Sequence, residues 1–167
     1  MTRPFAHVIG DPIAHSKSPH IHGFWLKKLG LDADYTAKLV EPDGLAEYLA
    51  SSRRDANWRG CNVTMPHKQA IMSLLDSLDP LAEKIGAVNT VVRQDDGTLR
   101  GYNTDAAGFL EPLTEELAKT HLFRMARVLG AGGAARAIVA SLAEQGMVIV
   151  LAARDPATAR ALLDDVA

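Results

Sequence analysis

Short apolar runs alternate with helically spaced apolar positions along the chain. Phe5 to Ile9 is an apolar run that halts at Gly10-Asp11-Pro12, a turn signal, and reads as a first strand. Ser18-Pro19 then supplies an N-cap with proline at the first helical position. Ile21, Phe24, Trp25, Leu26 and Leu29 recur at helical spacing until Gly30 stops the pattern. The same cycle predicts a strand over 35–40, a helix over about 43–50, a strand over 60–64 and a helix beginning near Pro66. Strands alternating with helices in this way point to a parallel sheet.

From Thr90 the pattern changes. Two extended runs, 90–93 and 99–102, flank Gln94-Asp95-Asp96-Gly97-Thr98, whose Asp-Gly reads as a hairpin turn. A helix over about 105–118 follows, with Phe109, Leu113 and Leu117 at i, i+4 and i+8. Arg127-Val128-Leu129 is then a strand ending in Gly130-Ala131-Gly132-Gly133. An alanine-rich helix runs on to about Gln145, a strand covers 147–151, and a last helix closes the chain. The predicted class is α/β, with an N-terminal parallel-sheet domain over 1–104, a connecting helix over 105–120 and a partial dinucleotide-binding unit over 121–167.

Composition narrows the function classes. A chain of 167 residues has room for one ordinary domain or two small ones, and 47% hydrophobic with 23% charged residues disfavours disorder or a fibrous repeat. Eighteen basic against 20 acidic residues, a net charge of −2, supply no field for a polyphosphate backbone, so nucleic acid is not an expected partner. Cys61, the only cysteine, excludes an internal disulfide and a CxxC-type metal site and fits a reducing compartment. In an apolar strand with no basic neighbour it reads as a small buried hydrophobe. His20 and His22, at i and i+2, do not share a helical face, and no metal site is expected. No apolar run approaches the ~18 residues of a membrane span, and Met1-Thr2-Arg3-Pro4 leads into a strand, so the expected location is cytoplasmic. Phe24 and Trp25 read as core, and monomer and homodimer both stay open.

The glycine-rich turn is the first candidate for chemistry. Gly130-Ala131-Gly132-Gly133-Ala134-Ala135, between a strand and a helix, matches the dinucleotide-binding form G-x-G-x-x-G/A in its required context. Gly130 permits the tight turn, Gly132 lets a pyrophosphate approach the backbone, and small Ala135 allows the helix to pack on the strand. The alternative is a glycine turn chosen only for packing. At the end of the next strand, Arg154 suits a 2′-phosphate and Asp155 a 2′-hydroxyl. Asp155 precedes Pro156 and reads as a helix N-cap, which releases Arg154 to the adenosine phosphate and favours NADP. If Asp155 faced the ribose instead, it would repel that phosphate.

Three polar clusters fall at predicted strand ends: His15-Ser16-Lys17-Ser18, Asn62-Val63-Thr64-Met65-Pro66-His67-Lys68, and Asn103-Thr104-Asp105, with Asn89 after Gly86-Ala87-Val88. Hydroxyls, amides, one ammonium and one carboxylate suit a small polyhydroxylated acid. Lys68, in the first turn of the helix expected from Pro66, would have its charged form disfavoured by the helix N-terminus and by partial burial, which tunes a lysine toward acid–base work. Asp105 would orient that ammonium or bond the hydroxyl being oxidised. Singly, each has a structural alternative: Ser18 and Thr104 as helix caps, Asn103 as an Asx turn, Lys68 as a solvated lysine.

The strings GDPIAHSKSPHIHG from Gly10, NVTMPHK from Asn62, GAVNT from Gly86, GYNTDA from Gly101 and VLGAGGAARA from Val128, in that order and spacing, resemble the shikimate dehydrogenase family. The resemblance spans about residues 6–155. It implies an N-terminal domain that binds shikimate, followed by a truncated Rossmann domain that binds NADP. The implied reaction is hydride transfer interconverting 3-dehydroshikimate and shikimate. It assigns Ser16 and Ser18 to the substrate carboxylate, Thr64 and Asn89 to ring hydroxyls or carboxylate, and Lys68 with Asp105 to the catalytic pair. Gly130, Ala131, Gly132, Gly133, Ala134 and Arg154 fall to the cofactor. Family members carry further strands, a nicotinamide-side loop and a C-terminal helix with a substrate-binding glutamine beyond the residues present here. Where the family shows Asn-Arg-Thr, this chain has Ala153-Arg154-Asp155. Two other readings remain: a quinate/shikimate dehydrogenase, against which the serine pair Ser16 and Ser18 argues, and a non-catalytic shikimate-binding module.

Overall fold

A computed structural model describes residues 3–119 and 124–166, which form two compact units. The boundary expected between the connecting helix and the dinucleotide-binding part, at residues 120 and 121, lies outside the described residues. The first unit comprises Met1–Asp79 and Val88–Tyr102, the second Pro80–Ala87 and Asn103–Ala167.

The first unit is a six-stranded sheet built from β1 (Phe5–Gly10), β2 (Asp34–Leu39), β3 (Trp58–Val63), β4 (Ser77–Leu78), β5 (Thr90–Arg93) and β6 (Leu99–Tyr102), in the order β2-β1-β3-β5-β6-β4. β1 pairs in parallel with both β2 and β3, through the crossover helices α1 (Ser18–Lys28) and α2 (Leu45–Arg54). β5 runs antiparallel between β3 and β6, as the Asp-Gly hairpin requires, and β4 pairs with β6 in parallel. The core gathers Val8, Ile9, Trp58, Cys61, Val63, Ile71, Val88, Val91 and Leu99. Each fully buried large side chain contributes roughly 1.5–3 kcal/mol. α2 buries Leu45, Tyr48, Leu49 and Ser52, the i, i+3, i+4, i+7 stripe of an amphipathic helix. Gly60, at φ 144°, lies so close to β5 that a Cβ there would stand 2.1 Å from the Val91 carbonyl oxygen.

The second unit holds α3 (Pro80–Ile85), α4 (Asp105–Leu110), α5 (Thr114–Leu117), β7 (Met125–Leu129), α6 (Gly133–Glu144), β8 (Val148–Ala152) and α7 (Pro156–Val166). β7 and β8 pair in parallel over five residues, giving the predicted strand-turn-helix-strand unit and its final helix. α6 buries Ala135, Ala137, Val139, Ala140 and Leu142. Its Arg136 is also buried, donating from Nε to the Ile85 carbonyl at 2.8 Å and from Nη2 to the Asp165 carboxylate at 2.9 Å. One guanidinium thereby ties α6 to both α3 and α7.

Several expectations need correction. No α-helix starts at Pro66: a turn leads into a 3-10 helix at Ala70–Leu74, because His67 N–H bonds back to the Thr64 carbonyl and the Lys68 carbonyl accepts from Val88 N–H, which diverts it from an i+4 ladder. The single helix over 105–118 is broken at Pro112 into α4, a 3-10 turn at Glu111–Leu113 and α5, since proline lacks the interior N–H donor. Ser18 is the first helical residue and not the cap; the Ser16 hydroxyl accepts its N–H at 3.3 Å. Phe24 and Trp25 are not core, being 60% and 50% exposed on a helix with no buried residue. α2 begins two residues later than expected, after a 3-10 turn at Pro42–Gly44.

Candidate functional site

Within the first unit the polar clusters sit on loops that leave the C-terminal ends of β1 and β3 and enter β5. The two strand-end loops are laced together: Asp11 N–H donates to the Met65 carbonyl at 3.0 Å, and Thr64 N–H to Ile9 at 2.9 Å. Thr64 is therefore held beside the end of β1. Ser16, N–H bonded to Ile13, follows on the first loop. Lys68 is half-buried, and its carbonyl accepts from Val88 N–H at 2.8 Å, one residue before Asn89. The helix dipole invoked for Lys68 falls away with the helix, and the side chain is presented from a turn.

That turn has an anchor the sequence did not advertise. His67 is 1% exposed, and its Nε2 lies 2.7 Å from the Val40 carbonyl. A carbonyl only accepts, so Nε2 carries the proton and the tautomer is settled. His67 was legible only as one member of NVTMPHK; its burial next to a polar lysine is a tertiary fact.

Asn89 is 8% exposed and is bonded through its backbone to both neighbouring strands, its N–H to Tyr102 at 3.0 Å and its carbonyl from Val63 at 2.7 Å. Its side-chain Oδ1 accepts the Thr90 hydroxyl at 2.9 Å. Asn62, quoted in the motif but given no role, lies in the same group: it takes the Tyr35 hydroxyl on Oδ1 at 2.6 Å and donates from Nδ2 to Thr90 at 3.1 Å. Thr64, Lys68 and Asn89 are thus held at adjoining strand ends by backbone hydrogen bonds, with Ser16 on the loop that leaves β1.

Asp105 belongs to the second unit, in the first turn of α4. Its N–H is received by the buried Asn103 Oδ1 at 3.0 Å, and Asn103 Nδ2 donates to the Ala87 carbonyl at 2.9 Å. The structural reading of Asn103 holds, since its carboxamide serves the helix start, whereas Thr104 makes no side-chain cap.

The glycine turn is formed as its sequence predicts. Gly130 adopts φ 104°, accessible to glycine at little cost, and its N–H donates to Ala152 at 2.7 Å. A Cβ at Gly130 or Gly132 would meet nothing within 4 Å, and the first turn of α6 carries no acidic side chain. Gly132 stands at the N-cap of a 12-residue helix whose first N–H groups have no intrahelical acceptor, a polarity that suits an anion. Ala135 is buried against Val128, Val139 and Leu142, the close helix-on-strand packing its small size allows. At the end of β8, Arg154 is exposed. Asp155 turns to α7: its carboxylate accepts Ala157 N–H at 3.1 Å, Thr158 N–H at 3.2 Å and the Thr158 hydroxyl at 2.5 Å. The residues present fit a dinucleotide phosphate, and the acidic group that would have opposed a 2′-phosphate is engaged elsewhere.

That engagement predicts a pH dependence. The Thr158 hydroxyl first, then the Ala157 and Thr158 N–H groups, hold the Asp155 carboxyl below its ordinary value. A carboxylate lowered on folding contributes stability above its unfolded value and loses it as pH falls through the folded one. Asp155→Asn is therefore expected to lower the thermal midpoint at pH 7 and to narrow the gap to wild type near pH 3. A gap that is constant with pH would contradict the cap. A second expectation concerns Cys61, whose thiol burial pushes up to about 12. The native protein should leave it unmodified by an aromatic disulfide reagent at pH 8 and release one thiol per chain on denaturation; rapid native labelling would refute its burial.

Among the described residues no three His, Cys, Asp or Glu side chains gather as metal ligands, and no helix is long and apolar enough to cross a membrane.

With this geometry in hand, comparison with known proteins is decisive. Residues 8–91, half of the chain, match the shikimate dehydrogenase substrate binding domain. The chain belongs to the shikimate dehydrogenase family. A curated relative, the NADP(+) shikimate dehydrogenase of Sphingopyxis alaskensis, is 55% identical over 163 residues, covering 96% of this chain and 58% of that protein. Among solved structures, shikimate 5-dehydrogenase from Thermus thermophilus, in complex with NADP(H) and shikimate, superimposes with a TM-score of 0.85 at 43% identity, covering 98% of this chain and 60% of that one. The shikimate dehydrogenase of Aquifex aeolicus gives a TM-score of 0.89 at 36% identity, with 98% and 60% coverage. The chain therefore spans about three-fifths of the length of these relatives.

Proposed function

We propose that this chain carries the substrate-binding part and the pyrophosphate-binding turn of a cytoplasmic, NADP-dependent oxidoreductase that interconverts 3-dehydroshikimate and shikimate. The observation that carries the reading is the scaffold that holds Thr64, Lys68 and Asn89 at adjoining strand ends, with Ser16 on the loop that leaves β1, in a chain 43% identical to an enzyme solved with shikimate and NADP(H). Ser16 and Ser18 receive the substrate carboxylate, and Thr64 and Asn89 bond its oxygens. Gly130, Ala131, Gly132, Gly133 and Ala134 receive the pyrophosphate through backbone N–H groups, and Arg154 the 2′-phosphate. When bound, the nicotinamide supplies hydride to the carbonyl carbon in one direction and takes it back in the other. Lys68 gives an ammonium proton to the oxygen that becomes the hydroxyl, and in oxidation removes it. Asp105, in the motif GYNTDA, is the second residue that the family resemblance assigns to the proton transfer.

The test is calorimetric titration of shikimate into this chain, alongside the initial rate of shikimate-dependent NADP reduction. Binding with turnover supports the full reading. Binding without turnover, indifferent to NADP, reduces the chain to a shikimate-binding module. No binding refutes both.

A further inference from the structure

Three hydrogen bonds run in one direction from β2 to Asn89. The Tyr35 hydroxyl donates to Asn62 Oδ1 at 2.6 Å; Asn62 Nδ2 donates to Thr90 Oγ1 at 3.1 Å; the Thr90 hydroxyl donates to Asn89 Oδ1 at 2.9 Å. At the second and third links the donating residue is already engaged as an acceptor on its other side, so the proton order follows from the orientation of the Asn62 amide. The Asn89 backbone carbonyl, which can only accept, lies 3.5 Å from Asn62 Nδ2, which sets the Asn62 NH2 toward Asn89 and Thr90 and its oxygen toward the Tyr35 hydroxyl. Thr90 Oγ1, accepting from that NH2, has its single proton to give, and Asn89 Oδ1 receives it.

Tyr35 is itself held. The His22 ring of α1 stacks on it with centroids 4.0 Å apart and planes 5° from parallel, and Trp25 closes edge-on against His22 at 5.1 Å. Burial lowers the His22 pKa and raises that of Tyr35, so a neutral imidazole lies on a protonated phenol and the chain keeps its donor at neutral pH. Donors aligned head to tail polarise one another and strengthen together.

We infer that Tyr35, Asn62 and Thr90 are positioning residues that lock the Asn89 carboxamide with its oxygen turned inward and its NH2 presented to the substrate. The inference rests on the proposed function for the identity of the ligand, and it adds a chemical requirement to it. The substrate group that meets Asn89 must accept a hydrogen bond there. For a ring hydroxyl, this directs its lone pair to Asn89 and leaves its own proton for another acceptor. A carboxamide with its NH2 and oxygen exchanged would offer the wrong polarity to the same atom.

The experiment compares the whole chain with Thr90→Val, Thr90→Ser and Tyr35→Phe by shikimate calorimetry, with thermal midpoints as a control for folding. Thr90→Val keeps the branched shape and removes the link. It is expected to weaken shikimate binding roughly 3- to 10-fold, the effect of one net hydrogen bond. Thr90→Ser keeps the hydroxyl and should bind within about twofold of wild type, and Tyr35→Phe should resemble Thr90→Val. The double variant Tyr35→Phe/Thr90→Val should be no weaker than Thr90→Val alone, because one chain is broken once. Equal affinities for Thr90→Val and Thr90→Ser, or losses that simply track the thermal midpoints, overturn the inference. The side-chain amide resonances of Asn89 in the ligand-free protein give a reading independent of shikimate: they should shift in Tyr35→Phe, three hydrogen bonds along the chain of donors from the change. Unmoved resonances overturn the relay. Failure of wild type to bind shikimate, with the resonances moving as expected, would instead overturn the assigned ligand alone.

Discussion

Lys68→Ala is expected to lower shikimate-dependent turnover by roughly 10²- to 10⁴-fold, the span that a positioned proton donor and acceptor commands. The geometry favours a loss in kcat over a loss in KM. Lys68 is displayed from a turn whose backbone is fixed by its own bond to Val88 N–H and by the buried His67 beside it, so deleting the ammonium leaves the scaffold standing. Ser16, Thr64 and Asn89 continue to bind. The steady-state constants of the variant, read with its thermal midpoint, check this: turnover within about tenfold of wild type at an unchanged midpoint would remove Lys68 from the chemistry. A fall in affinity with kcat preserved would make it a binding residue only.

Gly60→Ala should be the most damaging small substitution in the sheet. A methyl group there would stand 2.1 Å from the Val91 carbonyl oxygen and 3.1 Å from its carbonyl carbon, both backbone atoms of the paired strand, at a φ of 144° that L side chains rarely adopt. Neither clash is relieved by a rotamer change. β5 would have to move off β3, and Asn62, Thr90 and Asn89 lie along that seam. A loss of about 3 kcal/mol or more is expected, from overpacking and backbone strain together. Urea unfolding followed by Trp58 fluorescence would measure it. A change below about 1 kcal/mol would show that the two strands separate easily.

All the strands but β4 were legible because each is a short apolar run bounded by turn residues, and the Asp-Gly hairpin was read to its residue limits, 90–93 and 99–102; two-residue β4 and the helix α3 after it had no such run and were missed. The glycine turn was legible for the same local reason, and so was the capping role of Asp155, which depends only on the Pro156 that follows. What escaped notice depends on partners far along the chain. Nothing local reveals that the Lys68 carbonyl is claimed by Val88, and so a helix was expected after Pro66. Pro112 was passed over because Phe109, Leu113 and Leu117 satisfied the helical period around it. Phe24 and Trp25 looked like core by composition, yet face outward. Of the site, the residue types and their order were visible; the roles of Tyr35, Asn62 and His67 rest on contacts across 27 or 28 residues and had no sequence signature beyond the motif.

The segment Pro80–Ala87 interrupts one unit and packs in the other. The Arg136 guanidinium that holds its Ile85 carbonyl lies 51 residues further on, and Ala137 and Ala140, against which Ile85 and Ala87 are buried, come later still. A chain made from its N-terminus therefore exposes α3 while the first sheet is already assembling around β1, and keeps it exposed until α6 has left the ribosome. No single cut in the chain would divide the two units: a piece ending after Tyr102 carries a helix whose shelter has not yet been translated.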